Sequence, residues 1–244
     1  MNAMIFAAGL GTRLRPLTND RPKALVEVNG KTLLEHNIER LKAAGCRQLV
    51  VNVHHFGQQI IDFLAAHNNF GIDIRVSDER QLLLDTGGGI RQALSIFTEA
   101  APILIHNVDI ISDIDLRSLY QSHLDHAAKD AGCGATLAIN QRKTSRYLMF
   151  DDDRRLCGWT NISTGEVKGT VGEKFAFSGI HVVDPSLFPL LDEMPDGPFP
   201  IISFYLEACK RLNLYGHDVT ENHWVDCGKP ESLCRAAEIL SIYC

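Results

Sequence analysis

The stretch from Ala3 to Lys23 constrains this chain most. A strand-length apolar run, Ala3 to Ala7, passes directly into Ala8-Gly9-Leu10-Gly11-Thr12-Arg13-Leu14-Arg15-Pro16-Leu17-Thr18, and Arg21-Pro22-Lys23 follows. Glycines after a first strand let backbone N–H groups approach an anion, because no Cβ stands in the way. Arg13, Arg15 and Lys23 place three cations within eleven residues, which repel one another unless an anion or solvent lies among them. A tight strand-to-helix turn with solvated arginines is the alternative reading of Gly9 and Gly11 alone. The added charges favour a polyphosphate. No Gly-Lys-Ser/Thr follows, so this is not a Walker loop, and the third glycine of a dinucleotide fingerprint is missing, which counts against a nucleotide-dependent oxidoreductase.

Behind this loop, Leu33 to Ala44 carries apolar residues at helical spacing and stops at Gly45. A strand at Gln48 to Val53, a helix near Gly57 to Ala66, a strand near Ile72 to Val76, a helix after Gly89 and a strand at Pro102 to His106 continue the alternation. Such a rhythm predicts a parallel sheet covered on both faces. Asp115 is a good N-cap for an amphipathic helix reaching about His126. Hairpin-like spacing then takes over, with strands at Thr136 to Asn140, Arg146 to Asp151 and Phe175 to Val183. Helices are expected around Ile201 to Arg211 and Glu231 to Ile242, with a strand-like piece at His223 to Val225 between them. With no linker, repeat or low-complexity tract, residues 1–244 read as one α/β domain, Rossmann-like, with a mixed, mostly parallel sheet and helices on both faces.

A net charge of -6 disfavours a broad basic surface for nucleic acid, leaving small molecules as the expected partners. Seven scattered cysteines, Cys244 among them, form no C-x-x-C pair, the pattern of free thiols in a reducing compartment. No window approaches a membrane span, and no basic region precedes the first apolar run, so a cytoplasmic location is expected.

Three further segments carry chemistry. In Leu84-Asp85-Thr86-Gly87-Gly88-Gly89-Ile90 the glycines stand immediately before a helical pattern, where bare N–H donors face a base or phosphate unless the segment is a flexible turn. Ile103 to Asp109 is a buried-strand pattern delivering an acid at the strand's C-terminal end, the ligand-binding edge of open α/β sheets, so Asp109 is a candidate magnesium ligand. Asp113 and Asp115 read as loop and cap. Ser178-Gly179 interrupts the strand from Phe175 to Val183, marking either close approach by a ligand or a bulge.

The opening resembles the sugar-1-phosphate nucleotidyltransferase family, whose pattern is an apolar strand, G-x-G-T-R-x-R-P-x-T and a P-K pair, all present here. The triple-glycine segment most resembles the N-acetylmuramate 1-phosphate uridylyltransferase type. The resemblance implies that Arg13 and Lys23 are catalytic, contacting the leaving pyrophosphate and the phosphates in transfer. It implies that Ala8, Gly9, Gly11, Thr12, Arg15, Thr86, Gly87, Gly88 and Asn107 bind the nucleotide. Ser178 and Gly179 would meet the sugar, and Asp226, in His223-Trp224-Val225-Asp226-Cys227-Gly228, would complete an Mg2+ site with Asp109. Residues 1–130 become the nucleotide-binding part, and 131–244 the sugar-binding part with the C-terminal helices.

Departures gather on the acceptor side. Asn107-Val108-Asp109 replaces the usual N-G-D, Arg146-Tyr147-Leu148 replaces R-Y-G, and Gly158-Trp159-Thr160-Asn161-Ile162 stands where an E-K pair is usual, leaving Lys174 or Lys168 as substitutes for the sugar-phosphate lysine. The left-handed β-helix domain of bifunctional relatives is not seen, so no acetyltransferase activity is expected. The reaction implied is in-line attack of a sugar 1-phosphate oxygen on the α-phosphorus of a nucleoside triphosphate, needing no general base. UTP with N-acetylmuramate 1-phosphate is the pairing the resemblance favours. GTP with a mannose- or heptose-type 1-phosphate is the rival, CTP with phosphocholine a more distant one, and a non-catalytic nucleotide-sugar sensor the reading from a different class.

Overall fold

The computed structural model describes residues 1–243; the expectation of a free thiol at Cys244 lies outside the described residues. The chain begins with β1 (Asn2–Phe6), a small hairpin of β2 (Glu27–Val28) and β3 (Lys31–Thr32), then α1 (Leu33–Ala43), β4 (Gln48–Val53), α2 (Gly57–Ala66), β5 (Asp73–Asp78), α3 (Asp85–Leu94) and β6 (Ile103–Asn107). There follow β7 (Ile110–Ser112), α4 (Leu116–Lys129), β8 (Cys133–Asn140), β9 (Arg146–Phe150), β10 (Leu156–Asn161), β11 (Glu166–Gly169) and β12 (Glu173–Val183). The last elements are α5 (Phe188–Asp192), α6 (Ile201–Ala208), β13 (Asn213–Asp218), β14 (Trp224–Asp226) and α7 (Pro230–Tyr243).

The main sheet runs β11-β10-β9-β12-β6-β1-β4-β5, and β8 joins β12 to β13. Its β6-β1-β4-β5 portion is all parallel, as is the β8–β13 pair, whereas β12 runs antiparallel to β6, β8 and β9. The expected mixed sheet is thus present, with its parallel strands where the strand–helix alternation is cleanest. One core lies against α1, α4 and α7 through Ile38, Leu119 and Ile239. The opposite core lies against α3, α5 and α6 through Ile90, Leu191 and Phe204. Strands enclosed on both sides have little reason to alternate, and every residue of β4 and β8 is buried.

Local signals place the helix starts. Thr32 Oγ1 accepts the Glu35 amide at 3.1 Å ahead of α1, and Asp115 Oδ1 accepts the Arg117 and Ser118 amides at 2.9 and 3.0 Å ahead of α4. The helix expected after Gly89 instead begins at Asp85 and takes all three glycines into its first turns. Six strands escaped the pattern: β2, β3 and β7 are only two or three residues long, β10, β11 and β13 contain glycine, and β7 and β13 owe their placement to partners far along the chain. Among the described residues no helix is long and apolar enough to cross a membrane.

Strand register gathers the polar strand ends. Phe6 stands opposite both Asn52 and Asn107, so the C-terminal ends of β1, β4 and β6 form one edge. The eleven residues of β12 pair first with β9 and then with β6, the shift falling at a bulge between Phe177 and His181 where Gly179 adopts φ 75°.

His106 and His181 are enclosed in this sheet, and burial pushes both imidazoles down to about 3. An unfolded chain protonates each near pH 6.5, whereas the native state keeps both neutral. From about pH 6.5 down to about 3 the unfolded state therefore binds more protons, and stability falls. The two together are expected to remove about 4 kcal/mol between pH 7.5 and pH 5. Urea unfolding at the two pH values checks this, and His181→Leu should shrink the loss by about half.

Candidate active site

A cavity of about 430 Å³ opens over the C-terminal edge of the parallel strands. Such an edge is where open α/β sheets bind ligands. At its floor Asn52 Oδ1 accepts the Ala7 and Ala8 amides at 2.7 and 3.2 Å, and Asn52 Nδ2 donates to Glu79 Oε1 at 2.7 Å. Glu79 Oε2 accepts the Leu84 amide at 3.0 Å, and burial pushes the Glu79 carboxyl above its ordinary range. Phe6, Leu83 and Pro198 supply apolar wall, while Ala8, Gly9, Thr86 and Asn107 line the cavity beside Lys23 and Asp109. Apolar walls with a few converging polar groups suit a small ligand such as a nucleotide.

The glycine loop is shaped to bring Lys23 in. Gly11 holds φ 63°, its carbonyl accepts Thr18 Oγ1 at 2.8 Å, and a Cβ there would stand 3.1 Å from Lys23 Cβ. Only glycine meets both demands without strain. Thr12 and Arg13 fall in a short 3-10 turn, Thr12–Leu14, and with Arg15 they are exposed.

Two acids distant in sequence meet here. Strand β14 pairs with β7, placing Asp226 opposite Ile110, and the Cys227 amide donates to the Asp109 carbonyl at 2.8 Å. The Asp109 and Asp226 carboxyls lie near enough for the charge of Asp109 to act on Asp226. The Lys23 ammonium pairs with Asp109, and Arg13 Nη2 stands 3.8 Å from Asp226 Oδ2. Burial raises the Asp109 carboxyl, but the Lys23 charge and hydrogen bond outweigh it and hold it below the usual carboxylate range. For Asp226 burial comes first and the charge of Asp109 second, and both push it up. At Gly228 a Cβ would stand 2.5 Å from Arg13 Nη2 and 2.7 Å from Asp226 Oδ1, so glycine there leaves room for the pair.

Among the described residues no group of three or more His, Cys, Asp or Glu side chains gathers as a metal cage. Magnesium does not need one: it is commonly held by one or two carboxylates together with substrate phosphates and water. An acid pair whose members push against each other, beside a cavity lined by Lys23, fits that requirement.

A model of the nucleotidyl transferase family matches residues 2–241. The chain belongs to that family. It is 37% identical over 246 residues to the N-acetylmuramate alpha-1-phosphate uridylyltransferase of Caulobacter vibrioides, covering 94% of this chain and 93% of that one. It is also 30% identical over 237 residues to the mannose-1-phosphate guanyltransferase of Pichia angusta, covering 95% of this chain but 62% of the relative. In fold it is similar to a UDP-glucose pyrophosphorylase solved with UDP-glucose, with a TM-score of 0.77, 16% identity and 99% of each chain covered.

In this nucleotidyltransferase several expected roles change once side chains are placed. The Gly87 and Gly88 amides are not bare donors, because both point to the Phe199 carbonyl, at 2.8 and 3.3 Å. Their lack of a side chain serves packing instead. A Cβ on Gly87 would run into the Phe199 ring and stand 2.9 Å from its carbonyl oxygen, and one on Gly88 would stand 3.1 Å from the Gly197 carbonyl. Gly87→Ala is expected to cost about 1–3 kcal/mol of stability. Because the displaced segment carries Pro198 into the cavity wall, it should also weaken triphosphate binding, which thermal unfolding with and without ligand reads directly.

Ser178 is fully buried, with its hydroxyl accepting from Asn140 Nδ2 at 3.1 Å and its carbonyl from Trp224 Nε1 at 2.8 Å, so it braces the site rather than facing a sugar. Gly179 is required by its positive φ and by Asn107, whose Nδ2 would lie 2.8 Å from an added Cβ. Lys174 is exposed at the far end of β12, four residues and about 13 Å of strand before Ser178, and it lines neither this cavity nor the acid pair. Leu148, where the family has glycine, points into the core beside Phe150 and Phe175 and narrows nothing.

Asn52 and Glu79 were missed by motif reading. Polar residues directly at or after the ends of β4 and β5 were the available signal, since parallel strands deliver such residues to the ligand edge.

Proposed function

We propose that this nucleotidyltransferase joins UTP to N-acetylmuramate 1-phosphate, releasing pyrophosphate and forming the UDP-sugar. The meeting of Asp109, Asp226, Lys23 and Arg13 beside the cavity carries the transfer part of this reading. Overlap with the Caulobacter relative over nearly the whole of both chains supports the choice of substrates. A phosphate oxygen of the acceptor attacks the α-phosphorus in line, a new P–O bond forms, and the bond to pyrophosphate breaks. The attacking phosphate is already ionised near neutral pH, so no residue has to remove a proton. Lys23 holds the phosphates next to Asp109, and Arg13, beside Asp226, draws charge onto the departing pyrophosphate. Asp109 and Asp226 are the residues that would hold magnesium, which when bound would neutralise phosphate charge. Asn52 and Glu79 hold the cavity floor rigid against the base.

GTP with a mannose-type 1-phosphate is the second reading, and the Pichia relative favours it. The match covers 62% of that relative but 93% of the uridylyltransferase, which places UTP first. The assembled charge set speaks for turnover over nucleotide-sugar sensing, and the six described cysteines, all free, suit a reducing cytoplasm. Pyrophosphate release across UTP, GTP, CTP and dTTP, each with N-acetylmuramate 1-phosphate, N-acetylglucosamine 1-phosphate and mannose 1-phosphate, tests the proposal. Fastest release with UTP and N-acetylmuramate 1-phosphate is expected, and a GTP–mannose 1-phosphate preference would replace it.

A further inference from the structure

We infer that a cationic recess beside Asp226 reads a second anionic group on the acceptor, a carboxylate carried by the sugar, with Arg142 as the specificity-determining residue. This rests on the transfer reaction proposed for the acid pair. The recess, about 560 Å³, lies between the loop after β8, which supplies Arg142 and Lys143, and the start of α7, which supplies Arg235; Trp224 and Asp226 form part of its wall.

Its position follows from the acid pair. The nucleotide cavity is lined by Asp109 and the recess by Asp226, and the two acids are held together through the backbone, where the Cys227 amide donates to the Asp109 carbonyl at 2.8 Å and Asp226 pairs opposite Ile110. An acceptor whose phosphate meets the nucleotide at that pair extends its body into the recess. Three cations line this space against one acid, and that acid already faces Asp109 and Arg13. Among the described residues Arg142, Lys143 and Arg235 enter no ion pair within 4 Å.

Arg142 is built in rather than waving in solvent. Its Cζ stacks 4.1 Å from the Trp224 ring centroid, Nη1 donates to Asn140 Oδ1 at 3.1 Å and Nη2 to the Phe177 carbonyl at 2.8 Å. Trp224 is itself pinned through its bond to the Ser178 carbonyl. Both of the guanidinium's acceptors are neutral, so its charge is oriented but not cancelled, and of its five N–H donors only two are spent. A planar fork held this way matches a carboxylate. Hydroxyls of a neutral sugar need hydrogen-bond partners but give no reason to gather three cations.

The test compares N-acetylmuramate 1-phosphate with N-acetylglucosamine 1-phosphate, which has a hydroxyl in place of the carboxylate-bearing ether. Wild-type enzyme should favour the acid, and Arg142→Gln should lose about 10- to 100-fold in kcat/KM on the acid, mostly through KM, with little change on the neutral sugar. Unchanged UTP affinity by calorimetry establishes that the variant is folded. Equal losses on both acceptors would mean that Arg142 holds the shared phosphate, and no loss on either would mean that the recess does not read the acceptor; each overturns this inference alone. Turnover of mannose 1-phosphate with neither amino sugar accepted would overturn the proposed reaction and the inference together.

Discussion

Asp109→Asn is expected to lower turnover by about 10²- to 10³-fold while leaving the fold in place. The amide has nearly the carboxylate's shape, so the Cys227-to-Asp109 backbone bond and the β7–β14 pairing that bring Asp226 here do not depend on it. What disappears is charge. Asp109 is the largely enclosed anion against which Lys23 is set, with the two side chains 14% and 13% exposed, and it is one of the two carboxyls available to a cation. Removing one partner of such a pair leaves the other buried without compensation, which is why the loss exceeds that of a surface ion pair. Single-turnover pyrophosphate release with UTP measures the effect, and calorimetric UTP binding separates it from loss of substrate. A fall of less than about tenfold would remove Asp109 from the chemistry.

Lys23→Met should reduce kcat/KM by a similar factor, about 10²- to 10³-fold, for a complementary reason. The ammonium lines the cavity beside Gly9 and Asp109, and it supplies the positive charge nearest the acid pair. Without it the Asp109 and Asp226 carboxyls face an incoming triphosphate with only Arg13 to offset them, so binding suffers along with turnover. Because Lys23 and Asp109 act as a unit, the double variant should be far less impaired than the product of the single losses. Steady-state rates for the four proteins of this cycle provide the comparison, and multiplicative losses would show the two residues working apart.

Much of the fold and half of the site were legible in the residues alone. The strand–loop–cation sequence from Ala3 to Lys23 announced its chemistry because glycine and charge act locally: Gly11 is held at positive φ, and the lysine it admits reaches the acid pair. The cap at Asp115 was readable for the same reason. The convergence of Asp109 with Asp226 came from family likeness, since it depends on a three-residue strand finding its partner across more than a hundred residues, and no local spacing encodes that. Gly87 and Gly88 misled because a glycine placed for close packing looks the same in sequence as one placed to bare an amide. Only the Phe199 carbonyl, brought from far along the chain, distinguishes the two. Lys174 was offered as a substitute for the missing E-K lysine, and closeness in sequence could not show that it sits at the far end of the eleven-residue β12; Arg142 was overlooked because its role depends on Trp224 lying beneath it.

Central to the proposed chemistry are two acids serving one cation together with the triphosphate. Binding of Mn²⁺, a spectroscopically visible stand-in for magnesium, followed by electron paramagnetic resonance in the presence of a non-hydrolysable UTP analogue tests this without relying on turnover. Wild-type protein should take up the ion, and Asp109→Asn and Asp226→Asn should each weaken that uptake at least tenfold. Equal Mn²⁺ affinity in all three proteins would show that the acid pair does not hold the cation.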